Sequence, residues 1–293
     1  MVRVAVVTSM LFASVALACP TCTCANPALT TIGADRPFDN RIRLSSTFRA
    51  WEQREGTQQY DASVLRELRM DLTGTWSPTA RWTFLVNLPL QLRERTDVSL
   101  ARERGFGTGE IDLSTRVLLV GVEGFRPRHL ISAVAGVRLP TAPTLHDASG
   151  AVLNVDAQLG PGSFVPSVGM FWSAFIGDQW STFVSLLGDV PIEGRYGLRI
   201  GPGLQALGAG QFQPWKWLGF RAGVDARYEF PSYLRGVEQT HLSGLLLQPL
   251  VDVIVSPHNR VLIVGGVRVP VLSTRPGPVT NSPTVLLSVV VDV

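Results

Sequence analysis

The stretch VLRELRMDLTGTW, from Val64 to Trp76, decides the architecture of this chain. Leu68, Met70, Leu72 and Trp76 fall on one side of an extended backbone, and Glu67, Arg69, Asp71, Thr73 and Thr75 on the other. Side chains of a strand point alternately to opposite faces, so the segment reads as a strand with one apolar and one charged face. The next segment keeps the rhythm after a tight turn at Ser77-Pro78-Thr79-Ala80. Trp82, Phe84, Val86, Leu88, Leu90 and Leu92 share one face, against Arg81, Thr83, Asn87, Gln91 and Arg93. Residues 217–230 repeat it: Leu218, Phe220, Ala222, Val224, Ala226, Tyr228 and Phe230 oppose Arg221, Asp225, Arg227 and Glu229.

Working outward, the same reading predicts twelve strands, near 40–52, 62–76, 80–93, 108–121, 128–140, 163–175, 179–191, 195–208, 215–230, 242–256, 259–272 and 282–293. The last would turn Val285, Leu287, Val289, Val291 and Val293 outward. Past the first thirty residues no apolar run is long enough for a membrane helix. Only helices and closed barrels cross a bilayer, so the pattern predicts an all-β, antiparallel, up-and-down transmembrane barrel. Predicted connections alternate. Short turns such as Ile176-Gly177-Asp178 and Pro257-His258 alternate with long polar loops, the longest from Thr141 to about Gly162. Short periplasmic turns and longer extracellular loops are the barrel habit, and an even strand count puts both termini on the periplasmic side. Trp76, Trp82, Trp172, Trp180, Trp215 and Trp217, six of the seven tryptophans, gather at the short-turn rim, where a membrane interface favours them.

The first eighteen residues read as a cleaved signal peptide: Arg3, an apolar core from Val4 to Leu17, and the A-x-A site Ala16-Leu17-Ala18. Residues 19–39 then form a periplasmic tail ahead of the barrel at 40–293. All three cysteines, Cys19, Cys22 and Cys24, lie in that tail. Export places them in an oxidising compartment, where a disulfide through Cys22 or Cys24 is the plain reading; an odd number leaves at least one thiol unpaired, acylated or bonded to another chain, and the cluster could instead hold a soft metal such as copper. Charged residues are 17% of the chain, below the roughly 25% of soluble domains. The net charge of +3 and a single lysine, Lys216, give no basic cluster, which excludes a nucleic-acid reader.

The predicted lumen face carries mixed charge. Its candidate selectivity residues are Arg43, Arg69, Asp71, Glu110, Asp112, Arg116, Arg138, Arg221, Asp225, Arg227, Asp252 and Arg268, with Arg41, Arg49, Glu67, Arg199 and Glu229 beside them. Such a face serves either as a cross-strand ion-pair lattice filling a narrow barrel or as a polar channel lining. Twelve strands enclose a lumen between a filled eight-stranded barrel and an open porin. The loops at 94–107, 141–162 and 231–241 are the predicted gate. No catalytic signature emerges. His129, His146, His241 and His258 stand in no metal-ligand spacing, and there is no G-x-S-x-G elbow. Gly105, Gly107 and Gly109 open a strand rather than a helix, so they cradle no phosphate.

Between residues 105 and 175 three motifs carry a resemblance. Gly107-Thr108-Gly109-Glu110-Ile111-Asp112-Leu113 is similar to a G-x-G-D-x-x-L strand opening. Gly136-Val137-Arg138-Leu139-Pro140-Thr141 is similar to a G-x-x-x-P-T-G strand end, with Ala142 in the last place. Gln158-Leu159-Gly160-Pro161-Gly162-Ser163, with Val165-Pro166 and Gly169, matches a Q-x-G-x-G-S-x-x-P-x-x-G element. Together they resemble the proteobacterial outer-membrane barrels described as phenol-degradation meta-pathway or transporter-like proteins. The resemblance implies a Gram-negative outer-membrane channel for a small solute, hydrophobic or aromatic, without enzymatic activity or resident cofactor. Two other readings stand beside it. One is a filled barrel whose Cys tail binds a soft metal or a protein partner. The other is a barrel lipid enzyme, which needs a Ser and a His together at the lipid-facing rim.

Overall fold

A computed structural model describes residues 39–56, 62–99, 101–121, 128–239 and 243–293. Within them, period-two alternation resolves into twelve antiparallel strands that close on themselves. They are β1 (Arg41–Glu55), β2 (Ser63–Thr79), β3 (Trp82–Asp97), β4 (Arg102–Thr108, resuming as Asp112–Val120), β5 (His129–Arg138) and β6 (Val165–Ile176). Then follow β7 (Trp180–Asp189), β8 (Gly203–Trp215), β9 (Leu218–Glu229), β10 (Gly244–His258), β11 (Val261–Arg268) and β12 (Thr284–Asp292). Each strand pairs with its neighbours in sequence, and β12 returns to β1, with Leu44 opposite Val291 and Ala50 opposite Val285. Closure leaves no sheet edge where the spans pair on both sides, as a lipid environment demands.

The outward face is the one the alternation predicts. Leu44, Leu68, Val86, Met170, Val184, Phe220, Val251 and Leu287 all stand exposed along the outer wall. At the short-turn rim the aromatics cluster: Trp76 and Trp82 flank Phe84, Trp180 stacks on Phe212 at 4.4 Å, and Trp215 on Trp217 at 6.0 Å. The first residues of β1 and the last of β12 lie at that same rim, with Arg43 opposite Asp292.

Several expected boundaries move, each for a physical reason. The eighth strand begins at Gly203, not 195, because Gly201-Pro202 interrupts the ladder. Residues 195–199 instead form a 3-10 turn, Arg195–Gly197, and a short strand, Leu198–Arg199. That strand pairs with Ser232–Leu234, which pairs with Val237–Gln239 in a small sheet at the long-loop end. Arg199 is therefore exposed on a loop and is not a lumen residue. Strand β8 runs on to Trp215, so its hairpin turns at Lys216-Trp217 rather than before residue 215. The turn expected at Pro257-His258 sits at Asn259-Arg260.

The expected loop at 94–107 is largely strand. β3 extends to Asp97 and β4 starts at Arg102. Both faces of this hairpin are polar, so it lacks the apolar half of the pattern. A cross-strand ion pair stands in its place, with Arg102 reaching Glu94 at 3.9 Å. In β4 the ladder breaks at Gly109-Glu110-Ile111. Below the break β4 pairs with both β3 and β5; above it, among the described residues, Arg102–Thr108 pairs with β3 alone. The chain leaving β5 fills that place. Leu139 N donates to Ile111 O at 2.9 Å, and Ile111 N to Thr141 Oγ1 at 2.9 Å.

Candidate channel lining

The inward face divides into an ionic wall and an apolar wall. On β1–β3, Asp71 accepts from Arg49 at 2.6 Å and from Arg69 at 2.8 Å, and Asn87 Nδ2 donates to it at 3.2 Å. One residue pair higher, Arg93 bonds Glu67 at 2.6 Å. All of these side chains are buried. On β9–β11 a second lattice pairs Arg221 with Asp252 at 3.1 Å and brings Arg268 within 3.8 Å of Asp225, which also accepts from Gln205 Nε2 at 3.0 Å. Arg227 bonds Glu229 at 2.9 Å. Buried charges of this kind hold only when paired and hydrogen-bonded.

The predicted lumen set is thus brought together as two lattices rather than one lining. Among its members, Arg43, with Arg41, bonds Asp292 at the short-turn mouth, at 2.7 Å for Arg43. Arg138 bonds Asp112 at 2.9 Å beside the wall break, and these two keep 25% and 15% of their side chains exposed inside the barrel. Arg116 is buried on the same inward face of β4.

Between the lattices the inward face carries apolar patches interleaved with the buried serines Ser132, Ser173 and Ser185, which the mixed-charge reading of the lumen did not include. Val134, Phe171 and Leu187 form one buried cluster, and Phe183, Leu207, Ala209 and Leu250 another. The Arg221 guanidinium lies 5.9 Å from the Phe183 ring centre, joining the two kinds of wall. The signal was present in the sequence: positions 183, 187, 207 and 209 share a parity, but they are apolar on both faces of short-period strands, so alternation alone does not sort them.

The connection between β5 and β6 lies against the ionic wall. Arg93 Nη1 donates to Gln158 O at 2.7 Å, Arg95 approaches Asp156 at 3.7 Å, and Glu110 accepts from Gly162 N at 2.6 Å. Arg93, Arg95 and Glu110 are all buried by this contact. With its amide nitrogen toward the segment, Gln91 donates to Leu159 O and accepts from Arg69 Nη1, each at 3.1 Å. Gln158 ties the segment to itself through Leu145 and Leu153, and Asp156, Ala157, Gln158 and Leu159 are fully buried. A second connection, after β7, covers the first: Arg195 donates to Ala142 O at 2.7 Å and to Pro140 O at 3.1 Å. A residue outside the predicted set, Arg275, reaches Glu229 at 2.7 Å from the connection before β12. Of the three predicted gate loops, then, 141–162 occupies the lumen wall, 94–107 is a hairpin, and 231–239 belongs to the small outer sheet.

No protein-family model matches this chain, and no curated protein matches its sequence. Solved structures do match. An outer membrane channel from Pseudomonas putida F1 superimposes with a TM-score of 0.69 at 11% identity, over 87% of this chain and 96% of that one. The beta domain of the Bordetella autotransporter Brka follows at 0.51 and 10%, over 86% and 99%. The fold is that of an outer-membrane β-barrel.

For this outer-membrane barrel, the remaining candidates are placed as follows. Cys19, Cys22 and Cys24, the signal peptide, the tail up to residue 38 and His241 lie outside the described residues. Among the described residues no three His, Cys, Asp or Glu side chains are grouped to hold a metal. His129 stacks on Trp172 at 6.0 Å in the aromatic rim, and His258 accepts from Arg260 N in a hairpin turn.

Proposed function

We propose that this barrel is a channel passing a small solute, apolar or aromatic, across the outer membrane, with segment 140–162 as its gate. The observation that carries this is how the segment is attached. It sits against the inner wall through side-chain contacts to Gln91, Arg93, Arg95 and Glu110, is covered by Arg195, and at its root Leu139 and Thr141 bond Ile111 at the wall break. Among the described residues no strand–strand ladder holds it, so it can exchange for a solute without opening the barrel. The apolar patches around Phe171 and Phe183 offer a surface for a hydrophobic solute beneath it. Arg138, Asp112 and Arg227, charged side chains that keep some exposure inside the barrel, serve as selectivity residues. The short-turn rim, with both barrel ends, faces the periplasm.

Purified protein in proteoliposomes and planar bilayers tests the reading. Solute-driven swelling or discrete conductance is expected. A barrel that stays tight and silent, even with residues 143–160 deleted, overturns it and leaves a filled structural barrel.

A further inference from the structure

The outer wall ends differently on β1–β4 than on the other strands. Outward residues of these four strands stand in rows across the sheet. Ala50, Leu68, Leu92 and Phe106 make one apolar row, in which the Phe106 ring is 72% exposed. The next row toward the long-loop end is Glu52, Arg66, Glu94 and Arg104. The row beyond it is Arg54, Val64, Thr96 and Arg102. Elsewhere the outward residues at this end stay apolar, as at Val190, Phe230 and Val271. On β1–β4, then, the surface passes from apolar to arginine-rich within one residue pair, about 7 Å at ~3.4 Å per residue.

The charges fall into two groups of like composition. Glu52 bonds Arg54 through Oε1 at 2.7 Å and Arg66 through Oε2 at 2.8 Å. Glu94 has Arg102 at 3.9 Å and Arg104 opposite it on the β3–β4 ladder. Each group sets two guanidiniums against one carboxylate. The connection from β1 to β2 adds one further charge, Asp61, and that from β3 to β4 adds none. Even with Asp61 counted in, four arginines stand against three acids. The side chains of Arg54, Arg66 and Arg102 are 64%, 58% and 69% exposed, and Arg104 is exposed as well. Ion pairs so exposed are weak, so these guanidiniums can turn to an external anion. Their planar forks match phosphate oxygens.

Depth selects the anion. Balanced ion pairs would be enough to keep a hairpin soluble; an arginine excess bordering an apolar belt complements a molecule that is apolar below and anionic above. A phosphorylated lipid is built that way. We propose that this patch seats the headgroup of an outer-leaflet glycolipid, with phosphates on the two arginine groups and acyl chains along Leu68, Leu92 and Phe106. Arg66 and Arg104 lie two strands apart, about 10 Å at ~4.8 Å per strand, so a headgroup with two phosphates engages both groups. The proposal rests on the orientation given above, with the short-turn rim toward the periplasm, and not on transport.

The probe is bisphosphorylated lipid A in detergent micelles, with the monophosphorylated form beside it, added to the purified full chain. Retained lipid is read by mass spectrometry after gel filtration, and heat-modifiable migration confirms a folded barrel in every variant. Wild type retains the bisphosphorylated form in preference. Arg54→Gln with Arg66→Gln, and Arg102→Gln with Arg104→Gln, each weaken retention by about thirtyfold, the effect of two basic side chains at an anionic membrane surface. Lys216→Gln with Arg260→Gln removes the same charge at the short-turn rim and leaves retention as in wild type. Inorganic phosphate in large excess does not displace the lipid. Equal retention of the two lipids, wild-type retention by either arginine variant, or an equal loss in the Lys216 and Arg260 variant overturns the site. Full displacement by inorganic phosphate overturns it in favour of a soluble anion. An epitope inserted after Ser99 is expected to bind antibody on intact cells; binding only after permeabilisation overturns the orientation, and this inference with it. A barrel silent in flux measurements overturns the channel reading alone, since lipid retention does not depend on flux.

Discussion

Asp71 shows what a single lumen residue does. Its carboxylate lies between Arg49 and Arg69 and takes a third bond from Asn87, all out of reach of water. Replacing a carboxylate that two buried guanidiniums share costs far more than losing a surface pair. Asp71→Asn should therefore destabilise the barrel by about 3 kcal/mol, read from urea unfolding in lipid vesicles; an effect below ~1 kcal/mol would show the lattice to be well hydrated. Gly105 makes a different point. A Cβ there would lie 2.5 Å from Ala157 O and 2.6 Å from a Leu145 methyl. Gly105→Val should push segment 140–162 off the wall and raise single-channel conductance, with the heat-modifiable barrel retained. Neither role was visible in the sequence. Alternation says which face a residue is on, but not which loop comes to lie against it.

At the scale of the strand, the outward face was legible wherever the opposite face is polar. Val285, Leu287, Val289 and Val291 were expected to face lipid, and all are exposed on the outer wall of β12. Val289→Arg places a guanidinium in that belt and should cost about 2–4 kcal/mol in a folding titration, whereas Gln179→Arg, at a hairpin tip, should change stability by no more than about 0.5 kcal/mol. Less legible were the strands above the lipid. The β3–β4 hairpin is polar on both faces, so period-two hydrophobicity vanishes where the strand continues. The turn between β8 and β9 was expected between 208 and 215, yet Gly208 and Gly210 sit in the ladder opposite Val184 and Thr182. Glycine in a strand signals permissiveness, not necessarily reversal.

For the whole molecule, the sequence carried the closed barrel, its twelve strands and its aromatic rim, because these follow from one repeating local rule. The inner organisation follows from contacts between distant segments and had no such rule behind it. Deleting residues 143–160 tests that division: the deletion removes no barrel strand, so the variant should fold and migrate as wild type while its liposome swelling rate rises several-fold. Unchanged swelling would place the barrier elsewhere, in the lattices themselves. Finally, the seam between β1 and β12 sets the order of assembly. Arg41 and Arg43 grip Asp292 across 251 and 249 residues of chain. Contacts so remote in sequence form late, since the intervening loop must be ordered first. Until then β1 and β12 each expose a row of unpaired amides, which neither hydrocarbon nor a crowded periplasm tolerates well. A polypeptide of this design is safest when it enters the bilayer as it closes, so its handling before insertion, by chaperone or assembly machinery, matters as much to its yield as any contact inside the finished barrel.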